Sequence, residues 1–133
     1  MKVNFARLCD YAMIGNDGKL SVVGIFDQIG GKSFPVVHPL AYLAFEIEFG
    51  SAEIGTSAHM EVQVRDADGG QIGKFSMEIQ SGGRAMPGSS PRFRHFLPMR
   101  NMKFEKPGVY EFAFFLGGRY DESVRLEVVQ RKP

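Results

Sequence analysis

The 133-residue chain has no tryptophan and one cysteine, Cys9. One thiol cannot close an internal disulfide or supply a four-cysteine zinc site, so stability must come from burying apolar surface. Net charge is nearly absent too, at +1, which gives long-range attraction to a polyanion no help. No stretch approaches the roughly 18 consecutive apolar residues of a membrane helix. At the start, Asn4, Arg7 and Asp10 interrupt what would be the apolar core of a signal peptide. A cytosolic location with no membrane contact is therefore expected, and a reduced Cys9 fits it. The length predicts a single domain over 1–133.

What is abundant is punctuation: 16 glycines and seven prolines, with segments rich in Val, Ile, Phe and Tyr between them. In 40–49, Ala41, Leu43, Phe45, Ile47 and Phe49 alternate with Glu46 and Glu48 on the other face, a period that a strand satisfies and a helix does not. Met60, Val62 and Val64 form an inward set, as do Phe75, Met77 and Ile79. Tyr120, Glu122, Val124, Leu126 and Val128 form another, in which only Glu122 is polar. Turns at Asp17-Gly18, Asp68-Gly69-Gly70 and Gly117-Gly118 predict three hairpins: 3–14 with 20–29, 58–66 with 71–80, and 109–116 with 119–129. Strands near 40–49 and 92–104 bring the total to seven or eight. Two prolines make 34–39 an extended crossover. Gly, Ser and Pro make 81–91 a loop, and a short helical turn is allowed near 51–57.

These strands predict an all-β fold, a two-sheet antiparallel β-sandwich. Pro107-Gly108-Val109-Tyr110-Glu111-Phe112 resembles the start of the sixth strand of immunoglobulin-like domains, where a tyrosine hydrogen-bonds backward to turn the corner between sheets. Tyr110 takes that part. Phe112 stands where antibody domains carry a cysteine, so the likeness is to immunoglobulin-like sandwiches in general. A jelly-roll or C2-like topology stays open.

Leu8-Cys9-Asp10-Tyr11-Ala12, Gly18-Lys19-Leu20, Gly24-Ile25-Phe26-Asp27, Phe34-Pro35, His38-Pro39 and Pro107-Gly108-Val109-Tyr110 together span most of the chain. In these segments it resembles a family of small uncharacterised bacterial proteins, a domain of unknown function. The resemblance implies a bacterial origin and an all-β fold. It brings no activity and no site residues.

No nucleophile elbow, zinc-protease motif or phosphate loop is present. His38, His59 and His95 lie in unrelated contexts, and a site built on them requires convergence with an acid in the fold. Cys9 and Asp10 are neighbours on a strand and point to opposite faces, which predicts an inert core thiol. Asp66-x-Asp68-Gly69 resembles half of a calcium loop, but the twelfth position is Met77 where a glutamate is needed, so a hairpin turn accounts for it. No cofactor, metal or catalytic group is expected, and the chain does not read as an enzyme.

Charge is unevenly spread. Residues 1–83 carry a net −4, 84–106 a net +5 from six basic and one acidic side chain, and 107–133 none. Arg92, Arg94, Arg100, Lys103 and Lys106 interleave with Phe93, Phe96 and Phe104. That is the composition of a single-stranded nucleic-acid groove, although the neutral whole weighs against one. The competing account puts the phenylalanines in the core and the arginines opposite Glu46 and Glu48. Pro98 is expected to break the alternation. Arg84, Met86, Arg92, Arg94, Met99, Arg100 and Lys103 are the candidate partner-binding residues. The expected role is a non-enzymatic binding or assembly module acting through protein contacts with an unidentified partner or in a homo-oligomer. Single-stranded nucleic-acid binding through 84–106 is the alternative.

Overall fold

The computed structural model describes residues 1–81 and 90–132. Alternating apolar residues lay the described residues out as nine strands: β1 (Lys2–Ile14), β2 (Leu20–Ile25), β3 (Gln28–Gly31), β4 (Val36–Glu48), β5 (Ser57–Arg65), β6 (Gln71–Gln80), β7 (Arg92–Phe104), β8 (Gly108–Leu116) and β9 (Arg119–Gln130). One 3-10 turn, Ser51–Glu53, falls where the sequence allowed a helical turn. The strands form a four-stranded sheet in the order β2-β1-β4-β7 and a five-stranded sheet in the order β3-β9-β8-β5-β6. The inward faces meet in one core. Phe45, Ile47, Phe49, Met60, Val62, Ile79, Phe112, Phe114 and Leu126 are all fully buried there.

The two-sheet architecture, the 58–66/71–80 and 109–116/119–129 hairpins and the inward sets of β4, β5 and β6 match the sequence reading. Four expectations need correction. The predicted strand 20–29 is two strands: at Phe26-Asp27 the chain leaves the first sheet, and β3 then pairs parallel with β9, so the described residues hold nine strands and the second sheet is mixed. Residues 36–39 are not a crossover but the opening of β4. Pro39 is accommodated because β1 pairs with β4 only from Tyr42 to Glu48, leaving that flank open. In β7 the side-chain alternation reverses at Asn101, held at φ 53, and not at Pro98. Met99 lies in the core on one side of this irregularity and Phe104 on the other. Finally, Tyr120 is 52% exposed, beyond a register shift between Phe114 and Phe115.

Hydrogen bonds at two places tie the sheets together. Buried Tyr110, on β8, donates its hydroxyl to the Lys106 carbonyl at 2.7 Å, across the connection from β7 in one sheet to β8 in the other. At the opposite flank the Val3 amide donates to Asp121 Oδ2 at 2.9 Å, and Arg119 donates to the Met1 carbonyl at 3.0 Å, pinning β1 to β9.

Candidate interaction surface

The three histidines do not meet. His38, on β4, packs against Phe26 at 5.6 Å between ring centroids. His59 is exposed on the other sheet, with Nδ1 2.8 Å from Glu78 Oε1. His95 stacks on Phe93 at 5.7 Å, and its Nδ1 contacts the backbone of Phe96. Cys9 is fully buried, its Sγ 3.5 Å from the Tyr42 carbonyl. Burial, and after it the Asp10 charge, push the thiol above its ordinary pKa. Asp66 Oδ1 accepts the amides of Asp68 and Gly70 at 3.0 and 2.9 Å, and Asp68 Oδ2 lies 2.5 Å from Lys106 Nζ. Asp66 thus serves the turn, and Asp68 ties it to the connection between β7 and β8. Among the described residues, no three His, Cys, Asp or Glu side chains are grouped to hold a metal ion.

The segment 84–106 is divided. Arg84 and Met86 lie outside the described residues. Met99 is 1% exposed, so it belongs to the core and offers no contact surface. Arg94 Nε donates to Glu46 Oε1 at 2.7 Å, and Arg92 Nε lies 3.7 Å from Glu48 Oε1. Asn4 Nδ2 joins the pair, at 2.8 Å from Glu46 and 3.2 Å from Glu48. Burial alone would raise the Glu46 pKa. The hydrogen bonds from Asn4 and Arg94, with the charges of Arg94 and Arg92, outweigh it and hold the carboxyl below its ordinary value. Arg100 is exposed opposite Leu40. Lys103, 3.4 Å from Glu105, borders a groove of about 270 Å³ between β6 and β7 lined by Ile72, Phe75, Met102 and Phe104.

Phe93 faces the core by alternation and Phe104 by the reversal at Asn101, whereas Phe96, three residues beyond Phe93, is on the outer face of the four-stranded sheet. There it packs edge-on to Tyr42 at 5.5 Å, and Tyr42 in turn meets Tyr11 at 5.3 Å. Ala12, Leu20 and Val22, from the β1–β2 hairpin, close over the same small cluster with Cys9 and Ala44. This reverses alternation along β1, because Cys9 and Ala12 now share a face. Gly24, opposite Asp10, adopts φ 70, a conformation open to glycine, and Asp10 occupies the space a side chain at Gly24 would need.

The hairpin spends one face on this cluster and turns another apolar face to solvent. Of the nine large apolar side chains exposed among the described residues, five belong to it: Tyr11 (48%), Met13, Ile14, Val23 (61%) and Ile25. Tyr11 and Val23 are cross-strand partners, so they form a contiguous surface. The sequence reading missed this surface, although a signal was present. No charged residue lies between Asp10 and Asp17 or between Lys19 and Asp27, so both strands lack the polar outward set of their neighbours.

A second concavity, of about 470 Å³, opens where the chain changes sheets. It is lined by Ala6, Arg7, Leu8, Asp27 and the 122–125 stretch of β9. It combines cations and acids with strand backbone, and the one hydroxyl side chain that lines it, Ser123, lies 2.9 Å from the Tyr120 hydroxyl. No helix among the described residues is long and apolar enough to cross a membrane.

Comparison with curated proteins gives no match. Among solved structures, the chain is similar to the Pseudomonas fluorescens alkylpurine DNA glycosylase AlkC bound to DNA containing an abasic site analog, with a TM-score of 0.48 and 10% identity. The likeness covers 93% of this chain, which spans 30% of that enzyme's chain. The match to a family is of another order, since it runs from residue 4 to residue 129 and takes in both sheets, the Tyr110 corner and the apolar hairpin. The chain belongs to this family, described as Family of unknown function (DUF6941).

Proposed function

We propose that this protein is a non-enzymatic binding or assembly module that makes protein contacts through the β1–β2 hairpin. The observation that carries the reading is the concentration of exposed apolar side chains on that one hairpin, five of nine among the described residues. Contiguous apolar surface on a folded domain marks a contact site more often than scattered single residues do. Tyr11, Met13, Val23 and Ile25 are each about half exposed, so covering them is worth about 4 kcal/mol in all. That is comparable with the lower end of what association costs, so a partner must also use the backbone of the hairpin.

The ion pairing of Arg92 and Arg94 supports protein contact over nucleic-acid binding, because two cations of the basic segment are already answered by Glu48 and Glu46. The Tyr110 hydrogen bond supports the immunoglobulin-like reading of the sandwich. The buried, unpaired Cys9 thiol supports a cytosolic setting.

The test is a photo-activated cross-linking residue placed at Val23, and at Glu78 on the far sheet, in cells that make the protein. Discrete protein adducts at position 23 and none at 78 are expected. No adduct at position 23 would refute the reading.

A further inference from the structure

We propose that the occupant of the hairpin surface is a second copy of this chain, paired antiparallel along the free edge of β2 so that two four-stranded sheets join into one of eight strands. The proposal rests on the reading of the hairpin as the contact surface and names its partner.

Among the described residues four strands end a sheet: β2 and β7 in one, β3 and β6 in the other. In a two-fold pairing each edge meets itself, so an edge is suited to it only where that meeting sets no like charges together and every backbone group can turn outward. β7 fails on both counts. It holds Arg92, Arg94, Arg100 and Lys103, with Pro98 and the left-handed Asn101 among them. β6 displays Lys74 and Glu78, which are engaged by Glu61 at 3.7 Å and His59 at 2.8 Å. β3 has only four residues, and the Arg131 side chain fills the space beside Gly30. β2 contains no charge and no proline, and its one left-handed residue, Gly24, stands next to its end.

Its backbone is also poised. The Gly15 amide donates to the Lys19 carbonyl at 3.1 Å, and Ser21 and Val23 continue that register opposite Met13 and Tyr11. Alternation then directs the N–H and C=O groups of Leu20 and Val22 away from β1, toward the open edge. An axis at Val22 lets both copies pair these groups and sets Ser21 of each opposite Val23 of the other. On the exposed face, the Tyr11, Met13 and Val23 surfaces of the two copies become one.

Charge fixes the direction. Exposed Asp17 and Lys19 precede β2 as a neutral pair, and exposed Asp27 follows it. Antiparallel pairing brings Asp27 of each copy to the Asp17–Lys19 pair of the other, whereas parallel pairing sets Asp27 against Asp27. The 3.8 Å contact of Lys19 with its own Asp17 is exposed on both sides and yields readily.

Two exposed positions give the test. Mild oxidation of an equimolar mixture of Ser21→Cys and Val23→Cys chains is expected to yield a disulfide-linked dimer that neither chain gives alone, the native thiol being buried. In sedimentation of the uncross-linked protein, Lys19→Glu, which leaves two acids facing Asp27 of the other copy, should weaken the dimer about fivefold, and adding Asp27→Lys should restore it. A monomer up to millimolar concentration, or a dimer whose mixture does not cross-link, overturns the proposal. Adducts at position 23 to other proteins only would also overturn it while leaving the contact surface intact. Absence of any adduct there would remove both.

Discussion

Replacing Tyr110 with phenylalanine removes one oxygen from the corner between the sheets and leaves the ring in place against Phe104, where the centroids are 4.8 Å apart and the planes meet at 73°. What is lost is the 2.7 Å hydrogen bond to the Lys106 carbonyl. A neutral hydrogen bond of this kind contributes about 1 kcal/mol net. The larger penalty for stranding a buried acceptor does not apply, because Lys106 is exposed and its carbonyl can turn to water. For a chain of this length the loss corresponds to a melting temperature lower by roughly 4 °C. The urea midpoint should fall with no change in slope, since the surface exposed on unfolding is unaltered. Tyr110→Leu, which also empties ring volume at a position 2% exposed, should cost about 3 kcal/mol. Were the phenylalanine variant to melt with its parent, the hydroxyl would not be holding the two sheets together and the argument for the corner would fall.

Glu46 is ionised more readily in the folded chain than in the unfolded one, so its contribution to stability is complete above its unfolded pKa, near 4.5, and is lost as pH falls through the depressed folded value. Glu46→Gln should flatten part of the acid limb of a stability–pH curve, and Arg94→Met, at a cost of about 1 kcal/mol at neutral pH, should move that limb to higher pH. An unchanged acid limb in both would contradict the network. Cys9 should resist a colourimetric thiol reagent at neutral pH and react only as fast as the chain unfolds, because the thiol is buried and its pKa raised. Rapid native-state labelling would place it at the surface. At the left-handed Asn101, glycine should be neutral or slightly stabilising, while valine should cost more than about 1 kcal/mol in thermal melts. Equal melting of the two variants would argue against the reversal of β7 at that residue.

The alternation in β4, β5 and β6 was legible because those strands are oily on one side and wet on the other, and side chains with a period of two admit no second reading. Tyr110 was legible through the resemblance of 107–112 to a strand start of immunoglobulin-like domains, and its hydroxyl does bond back to the Lys106 carbonyl. The reversals at Asp10/Gly24 and Asn101 were not. Each arises from a single residue near φ 60, and nothing in the flanking residues distinguishes a glycine or asparagine in that state from one that is merely extended. The apolar surface of the first hairpin was not read either. A strand apolar on both faces reads as doubly buried until the sheet order shows it at an edge. The placing of the arginines opposite Glu46 and Glu48 was legible as one of two accounts of the basic segment, and the register of β4 against β7 supplies the pairing, Arg92 with Glu48 and Arg94 with Glu46.

The parallel seam between β3 and β9 couples Gln28–Gly31 to residues 127–130, 99 positions further on. During synthesis, the first 31 residues can leave the ribosome and close their hairpin, yet Ile29, 9% exposed in the finished molecule, has no seat until Val128 arrives beside it. Final locking of the sandwich therefore waits on translation of β9, and a nascent chain stalled before Glu127 keeps an oily stub that quality-control machinery can grip.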